Sequence, residues 1–437
     1  MLAAMSRVPV VLLALLLGAQ APIALAQEPP PADAAAADAA PSPAPEAAPA
    51  PPPLAPPPAP VEVTTLAAPD AFSTPGRDTG LPPTLWRGTS LAIARTVLPI
   101  LAQRSLPPAG AALARRVLAT GAPGPEGAGS DPVLAAARGA ALITQGDPRS
   151  AAVILSRAPA LDRSAELARV AAESALLAGQ DARACAIEEA LTAGRDDPYW
   201  LRLRAYCQAI AGKATEAQLT FDLAQSQSKD PAFARLMGAK LSGGGDPGQP
   251  SLRNGLDLAL SRSLGLDLSL AKPTAAVEGA LGAGPPQDPA WDPAGAPPDL
   301  ASLFTALSGA GPLAAVELDR LLDAAEVRDP KARTRASAAA LLAAPFVEPL
   351  GPSLRARLAA LSLADHRAPA GRLMTLEDAA AEHRAGETAL VALWLTADAG
   401  NAGLSAGDRA EIVRALRRVG LERDARDYAL EGLAGLK

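Results

Sequence analysis

Cysteine, histidine and aromatic side chains are scarce in this 437-residue sequence. Two Cys and two His confine thiol, imidazole and most metal chemistry to four positions. Phe, Tyr and Trp together make up 3% of the chain, too few for stacking platforms that hold bases or sugars. Basic residues are also in deficit, with 40 Lys and Arg against 46 Asp and Glu. Nucleic-acid affinity draws mainly on a basic patch, so nucleic acid is excluded as a partner. After residue 26 no stretch approaches 18 uninterrupted apolar residues, and no transmembrane segment is expected there. No run sustains the period-two alternation of a half-buried strand. The expected fold class is therefore all-α.

The first residues point to a compartment. Arg7 supplies a positive start, Val10 to Leu17 form a short apolar core, and Ala24-Leu25-Ala26 offers small residues two apart. This pattern predicts a secretory signal peptide over 1–26, cut after Ala26; the alternative is its retention as a membrane anchor. Removing Arg7 with the leader leaves 39 basic residues against 46 acidic ones, a net charge of −7. Arg far outnumbers Lys, and Ala and Pro are abundant, as in proteins of GC-rich bacteria. The expected location is the periplasm.

Residues 27–80 form a Pro/Ala-rich segment, expected to be a disordered linker. Pro41 to Pro60 alternates Pro with Ala and carries Glu46 as its one charge. Such composition favours extended polyproline II and buries too little to offset chain entropy. Ordered structure is expected from Leu81, as an N-terminal helical region over 81–242. Leu85, Leu91, Ile93, Val97, Leu98 and Leu101 give a helical period that ends at Pro107-Pro108, and a second helix runs through Leu113, Val117 and Leu118.

An internal repeat follows. Asp131-Pro132, Asp197-Pro198 and Asp230-Pro231 pair a capping Asp with Pro at the first helical position. The last two are 33 residues apart, the first lies 66 before the second, and Ser164-Ala165 stands at the skipped step. Gly146, Gly179 and Gly212 keep the 33-residue interval; Ala151, Ala184 and Ala217 follow them by five, and Gly139, Ala172 and Ala205 precede them by seven. This arrangement over 131–242 resembles the tetratricopeptide repeat, whose helices approach closely at small residues. Leu155 and Phe221 match its large position, and Ala158 and Ala224 its later small one. Glu188 departs at the large position of the middle repeat, and the period is 33 instead of 34. The resemblance implies an α-solenoid of helical hairpins. It also implies a groove lined by the first helices, carried here by Tyr199, Arg202 and Tyr206 and by Glu166, Arg169 and Glu173; the alternative is that Tyr199 and Tyr206 fill the core between hairpins.

Residues 243–298 are rich in Gly, Pro and Asp and read as a linker or insertion, with one short helix over 252–264. A C-terminal helical-hairpin region is expected over 299–437, with helices near 299–308, 312–326, 330–344, 352–364, 371–384, 387–398, 405–419 and 421–434. The Pro/Ala-rich leader, Leu85-Trp86-Arg87-Gly88 and the Ala/Leu-rich body resemble a family of exported alphaproteobacterial proteins sometimes labelled antifreeze-glycopeptide-like. The regular Ala-Ala-Thr repeat that such a label needs is absent, and the family brings no activity to carry over.

Cys185 and Cys207 fall on the second helix of one hairpin and the first of the next. Each lies about ten residues from the turn between them, which sets them at nearly the same height. An oxidising compartment would then favour a disulfide; the alternative is two buried free thiols. His366 and His383 lack a metal-binding or nucleophile-activating context, and no metal or cofactor is expected. Gly403-Leu404-Ser405-Ala406-Gly407 matches a nucleophile elbow, but such an elbow follows a strand and its His comes later in the chain; Ser405 reads as a helix cap. Ser226-Gln227-Ser228-Lys229 lacks the accompanying motifs of penicillin-binding enzymes. Asp196-Asp197 and Glu188-Glu189 are neighbours that do not face each other on a helix, and capping and solvation account for them. The expected function is a noncatalytic scaffold of the cell envelope that binds an envelope protein or peptide in its groove. The alternatives are an accessory domain of a cell-wall hydrolase and a purely structural spacer.

Overall fold

The computed structural model describes residues 70–436, apart from 283, 327, 328, 362, 364 and 365. The predicted leader (1–26) and residues 27–69 of the predicted linker lie outside the described residues. Among the described residues there are 19 α-helices and no strand, and no helix is long and apolar enough to cross a membrane.

The helices before residue 243 are α1 (Leu91–Gln103), α2 (Pro108–Ala119), α3 (Pro132–Thr144), α4 (Pro148–Leu155), α5 (Ala165–Leu177), α6 (Asp181–Ala190), α7 (Pro198–Ile210), α8 (Ala214–Gln227) and α9 (Pro231–Ser242). Local chemistry sets their starts. Asp131, Asp197 and Asp230 accept backbone N–H bonds at the starts of α3, α7 and α9, and Ser164 does so for α5. Gly146, Gly179 and Gly212 close the turns α3–α4, α5–α6 and α7–α8 at φ of 84°, 75° and 76°, a region where a Cβ is unfavourable.

Residues 243–298 are a packed part of the body. They contain α10 (Gly255–Ser263) and α11 (Ala275–Leu281). Every residue from Gly255 to Ser261 is buried, and α10 packs on α5 and α9 while α11 packs on α3, α4 and α5. The predicted boundary at residue 80 also moves. Phe72 is fully buried 4.8 Å from the Trp86 ring, so the packed chain includes residues 70–80.

The remaining helices are α12 (Ala301–Ser308), α13 (Ala315–Ala324), α14 (Pro330–Ala343), α15 (Pro352–Ala359), α16 (Ala370–Ala381), α17 (Ala385–Ala399), α18 (Ala406–Arg418) and α19 (Glu422–Ala434). Each of the eight predicted C-terminal helices has its counterpart. Their packing does not extend the row beyond α9. Instead α17 lies on α1 and α2, α19 lies on α2, and α14 lies on α18 and α19. The pair α1 and α2 thus joins α3 on one side to α17 on the other, and the described residues belong to one compact unit.

Polar ties fasten this junction. The Glu387 carboxylate accepts the Ser90 N–H, the Glu431 carboxylate accepts the Ala109 N–H at 2.8 Å, and Gly386 N–H donates to Leu85 O at 2.9 Å. Arg116 of α2 pairs with Asp424 of α19, which is 2% exposed. Burial pushes the Asp424 carboxyl from 3.8 up to about 6, with Arg116 opposing and Asp427 reinforcing. On the α3 side, fully buried Arg138 donates from Nε to Leu118 O at 2.8 Å, from Nη1 to Ala71 O at 2.9 Å, and from Nη2 to Thr74 O at 3.2 Å and Thr120 O at 2.9 Å. Its guanidinium lies 5.5 Å from the Phe72 ring centroid. Burial lowers Arg138 to about 9, against the attraction of Asp70, so it is charged at neutral pH.

Two predictions follow from these buried charges. Arg138→Met leaves four carbonyls without their donor, and urea unfolding should register a loss on the order of 4 kcal/mol; a change below about 1 kcal/mol would contradict the anchoring role. For Asp424, the folded pKa lies above the unfolded one, so its contribution to stability is complete below pH 4 and disappears as pH rises through 6. The stability of the wild type relative to Asp424→Asn should therefore increase by about 1 kcal/mol between pH 7 and pH 5. Parallel pH profiles for the two proteins would refute this assignment.

Candidate functional site

The predicted groove residues sit on α5 and α7, and the structure separates them into three environments. Glu166 and Arg169, on the first half of α5, are exposed. Tyr199 is half-buried beside them, with the Arg169 guanidinium 4.9 Å from its ring centroid and its hydroxyl donating to Glu173 Oε2 at 3.3 Å. Burial raises the pKa of both Tyr199 and Glu173; the neighbouring carboxylate adds to the first, and hydrogen bonds from Gly255 N–H and Tyr199 partly offset the second.

Beyond Glu173 the face is covered. The Glu173 carboxylate accepts the N–H of Gly255, the first residue of α10. A Cβ at residue 255 would stand 2.8 Å from Glu173 O, so only glycine allows this approach. Leu252, Leu258 and Val277 close over Leu177, and Arg262 Nη2 donates to Leu176 O at 2.8 Å. The chain itself therefore holds the inner part of the predicted groove. The short helix expected over 252–264 is α10, and the high Gly/Pro content around it concealed only its packing on α5.

Two predicted groove residues are committed elsewhere. Arg202 donates to Ser228 O at 3.0 Å and approaches Asp230 Oδ2 at 3.5 Å. Asp230 also pairs with Arg253 at 3.0 Å, and Arg253 with Asp257 of α10 at 2.6 Å. This alternation of charges ties α7, the start of α9 and α10 together. Tyr206 is 1% exposed and donates to Asp181 Oδ2 at 3.1 Å, so it is a core residue with a satisfied hydroxyl.

Cys185 and Cys207 form a disulfide between α6 and α7, with Cα atoms 5.5 Å apart. Glu188 reinforces the same contact. It is 5% exposed and accepts from Arg204 Nε at 2.7 Å and Arg195 Nη2 at 3.2 Å. Solvation, the sequence explanation for this carboxylate, is replaced by a buried ion pair, and the departure from the repeat pattern has a partner.

The accidental catalytic motifs take structural geometry. Ser405 Oγ accepts the Asp408 N–H at 3.1 Å at the start of α18 and donates to Asp408 Oδ2 at 2.8 Å. His366 Nδ1 lies 3.0 Å from Asp408 Oδ1. The carboxylate thus stands between serine and imidazole, whereas nucleophile activation requires the imidazole against the serine. His383 Nδ1 lies 3.1 Å from Arg418 O, and Ser226 Oγ donates to Leu223 O within its own helix at 2.8 Å. Among the described residues no cluster of His, Cys, Asp and Glu could hold a metal ion.

No protein-family profile, curated protein or solved structure matches this chain.

The disulfide closes a separation of 22 residues, for which the chain-entropy relation gives about 3 kcal/mol. Reduction should therefore lower the stability against urea by about that amount, and the unfolded, unreduced protein should titrate no thiol. Two titratable thiols before reduction would refute the bridge.

Proposed function

We propose that this protein is a noncatalytic scaffold of the cell envelope, exported to the periplasm, whose helical hairpins form an α-solenoid that holds a segment of an envelope protein. The observation that carries this reading is the seating of α10 on the face of α5. That face receives a helix through apolar contacts with Leu177, a carboxylate at the helix start and an arginine on the Leu176 carbonyl near the end of α5. These are the interactions by which a groove holds an amphipathic helix.

The part of the face still open comprises Glu166, Arg169 and Tyr199. Tyr and Arg are the residue types that dominate binding hot spots. The opposite charges of Glu166 and Arg169, one turn apart, suit a helical segment with a basic and an acidic residue in matching register. The Asp408 arrangement between Ser405 and His366 supports a reading without acyl-transfer chemistry. A mainly structural spacer is the second reading, supported by Arg202 and Tyr206, predicted groove residues that serve contacts within the chain.

A photo-crosslinking residue placed at position 166 or 169 in living cells separates the two. The scaffold reading predicts one recurring envelope protein by mass spectrometry, whose purified form binds about tenfold more weakly to Arg169→Glu with the helical content unchanged. Scattered adducts, or equal binding by the variant, would favour the spacer.

A further inference from the structure

The stretch expected to be a linker closes a second concavity, remote in sequence from α5. A cavity of about 490 Å³ opens between residues 288–291, the end of α12 and α19, within the size range of small-molecule sites. Its apolar wall includes Leu307 and Leu430, 0% and 3% exposed. Two guanidiniums and three carboxylates line it. Arg423 is paired with Asp288, while Arg426 donates to Leu307 O at 3.2 Å, to Gly311 O at 2.7 Å and to Glu422 Oε1 at 3.1 Å.

Arg423 pairs with Asp288 and Arg426 with Glu422, which Arg417 also meets, whereas among the described residues Asp427 has no ion pair within 4.0 Å and feels Arg423 and Arg116 only from farther away. Asp427 is 9% exposed, and its Oδ1 accepts the Trp291 Nε1–H at 2.8 Å. A carboxylate offers about four acceptor sites, so one indole N–H leaves most of this capacity unused. Trp291 lines the cavity, and its indole N–H fixes the position of the Asp427 carboxylate.

We propose that this cavity binds an organic cation, a primary ammonium or guanidinium on an apolar stem, with its charge on Asp427 beside Trp291 and its stem against Leu307 and Leu430. The same chemistry is offered by a free diamine and by a Lys or Arg side chain of a peptide. The site lies beyond the α5 face and does not rest on the scaffold reading.

Calorimetric titration of the full chain with cadaverine and with N-acetyl-glycyl-lysyl-glycinamide tests it, with acetate as the anionic control. Either cation should bind, and Asp427→Asn, which keeps the shape and removes the charge, should weaken binding about tenfold or more. Trp291→Phe, which retains a ring and loses the N–H, should weaken it several-fold, and Glu317→Gln on α13 should leave it unchanged. Circular dichroism establishes that each variant is folded, and Trp291→Phe carries the test if Asp427→Asn is not. Tighter binding of the diamine identifies a small-molecule site; tighter binding of the peptide identifies a side-chain anchor. The proposal is overturned if neither cation binds at about 10 mM, if a folded Asp427→Asn binds as well as the wild type, or if acetate binds in preference.

Discussion

A single buried guanidinium sets the arrangement around which the rest of the chain assembles. Arg138 enters from α3 and reaches carbonyls of the first described turns and of the end of α2. Desolvating such a charge is costly unless nearly every N–H finds an acceptor, so the positions of Ala71, Thr74, Leu118 and Thr120 are specified together. This orients α2 relative to α3, and α2 is the surface on which α17 and α19 pack. Alanine-rich helices have little side-chain volume with which to select one packing angle over another. Polar anchors such as Arg138, Glu387 and Glu431 provide selectivity that apolar contacts between alanines do not.

Helix starts and turns were legible because their causes are local. Asp131, Ser164, Asp197, Asp230 and Ser405 cap the helices that their spacing predicts, and the turn glycines take the left-handed conformation that makes them necessary. The packing order was not legible. Ser90 meets Glu387 across 297 positions of sequence, and no periodic pattern records such a pairing. Gly255 illustrates a different failure. In composition it belongs to a Gly/Pro-rich stretch, yet its lack of a side chain serves a close helix approach and not a flexible turn.

The candidate site was legible by residue type more than by accessibility. Tyr199, Arg169 and Glu173 do lie together, but Tyr206 and Arg202 serve the core and the α9–α10 junction. A repeat pattern indicates which face of a helix is inward in an ideal array. It does not say whether the same chain later returns to cover that face, as α10 does. Glu188 shows the converse: an apparent defect in the repeat is matched by Arg204 on the next helix.

The placement of the last helices between α2 and α14 has a consequence for the order of assembly. A chain made from its amino end presents α1 and α2 some three hundred residues before Glu387 and Glu431 arrive to cover them. Until then this pair is covered by α3, with a smaller contact from α4. Local hairpins such as α5–α6 need no such delay, since their partners are adjacent in sequence. Ribosomal synthesis would therefore yield a half-clad intermediate, prone to self-association until the final two hairpins dock. The carboxyl-terminal helices act as the closing clasp, and the finished body exists only once the whole chain is present.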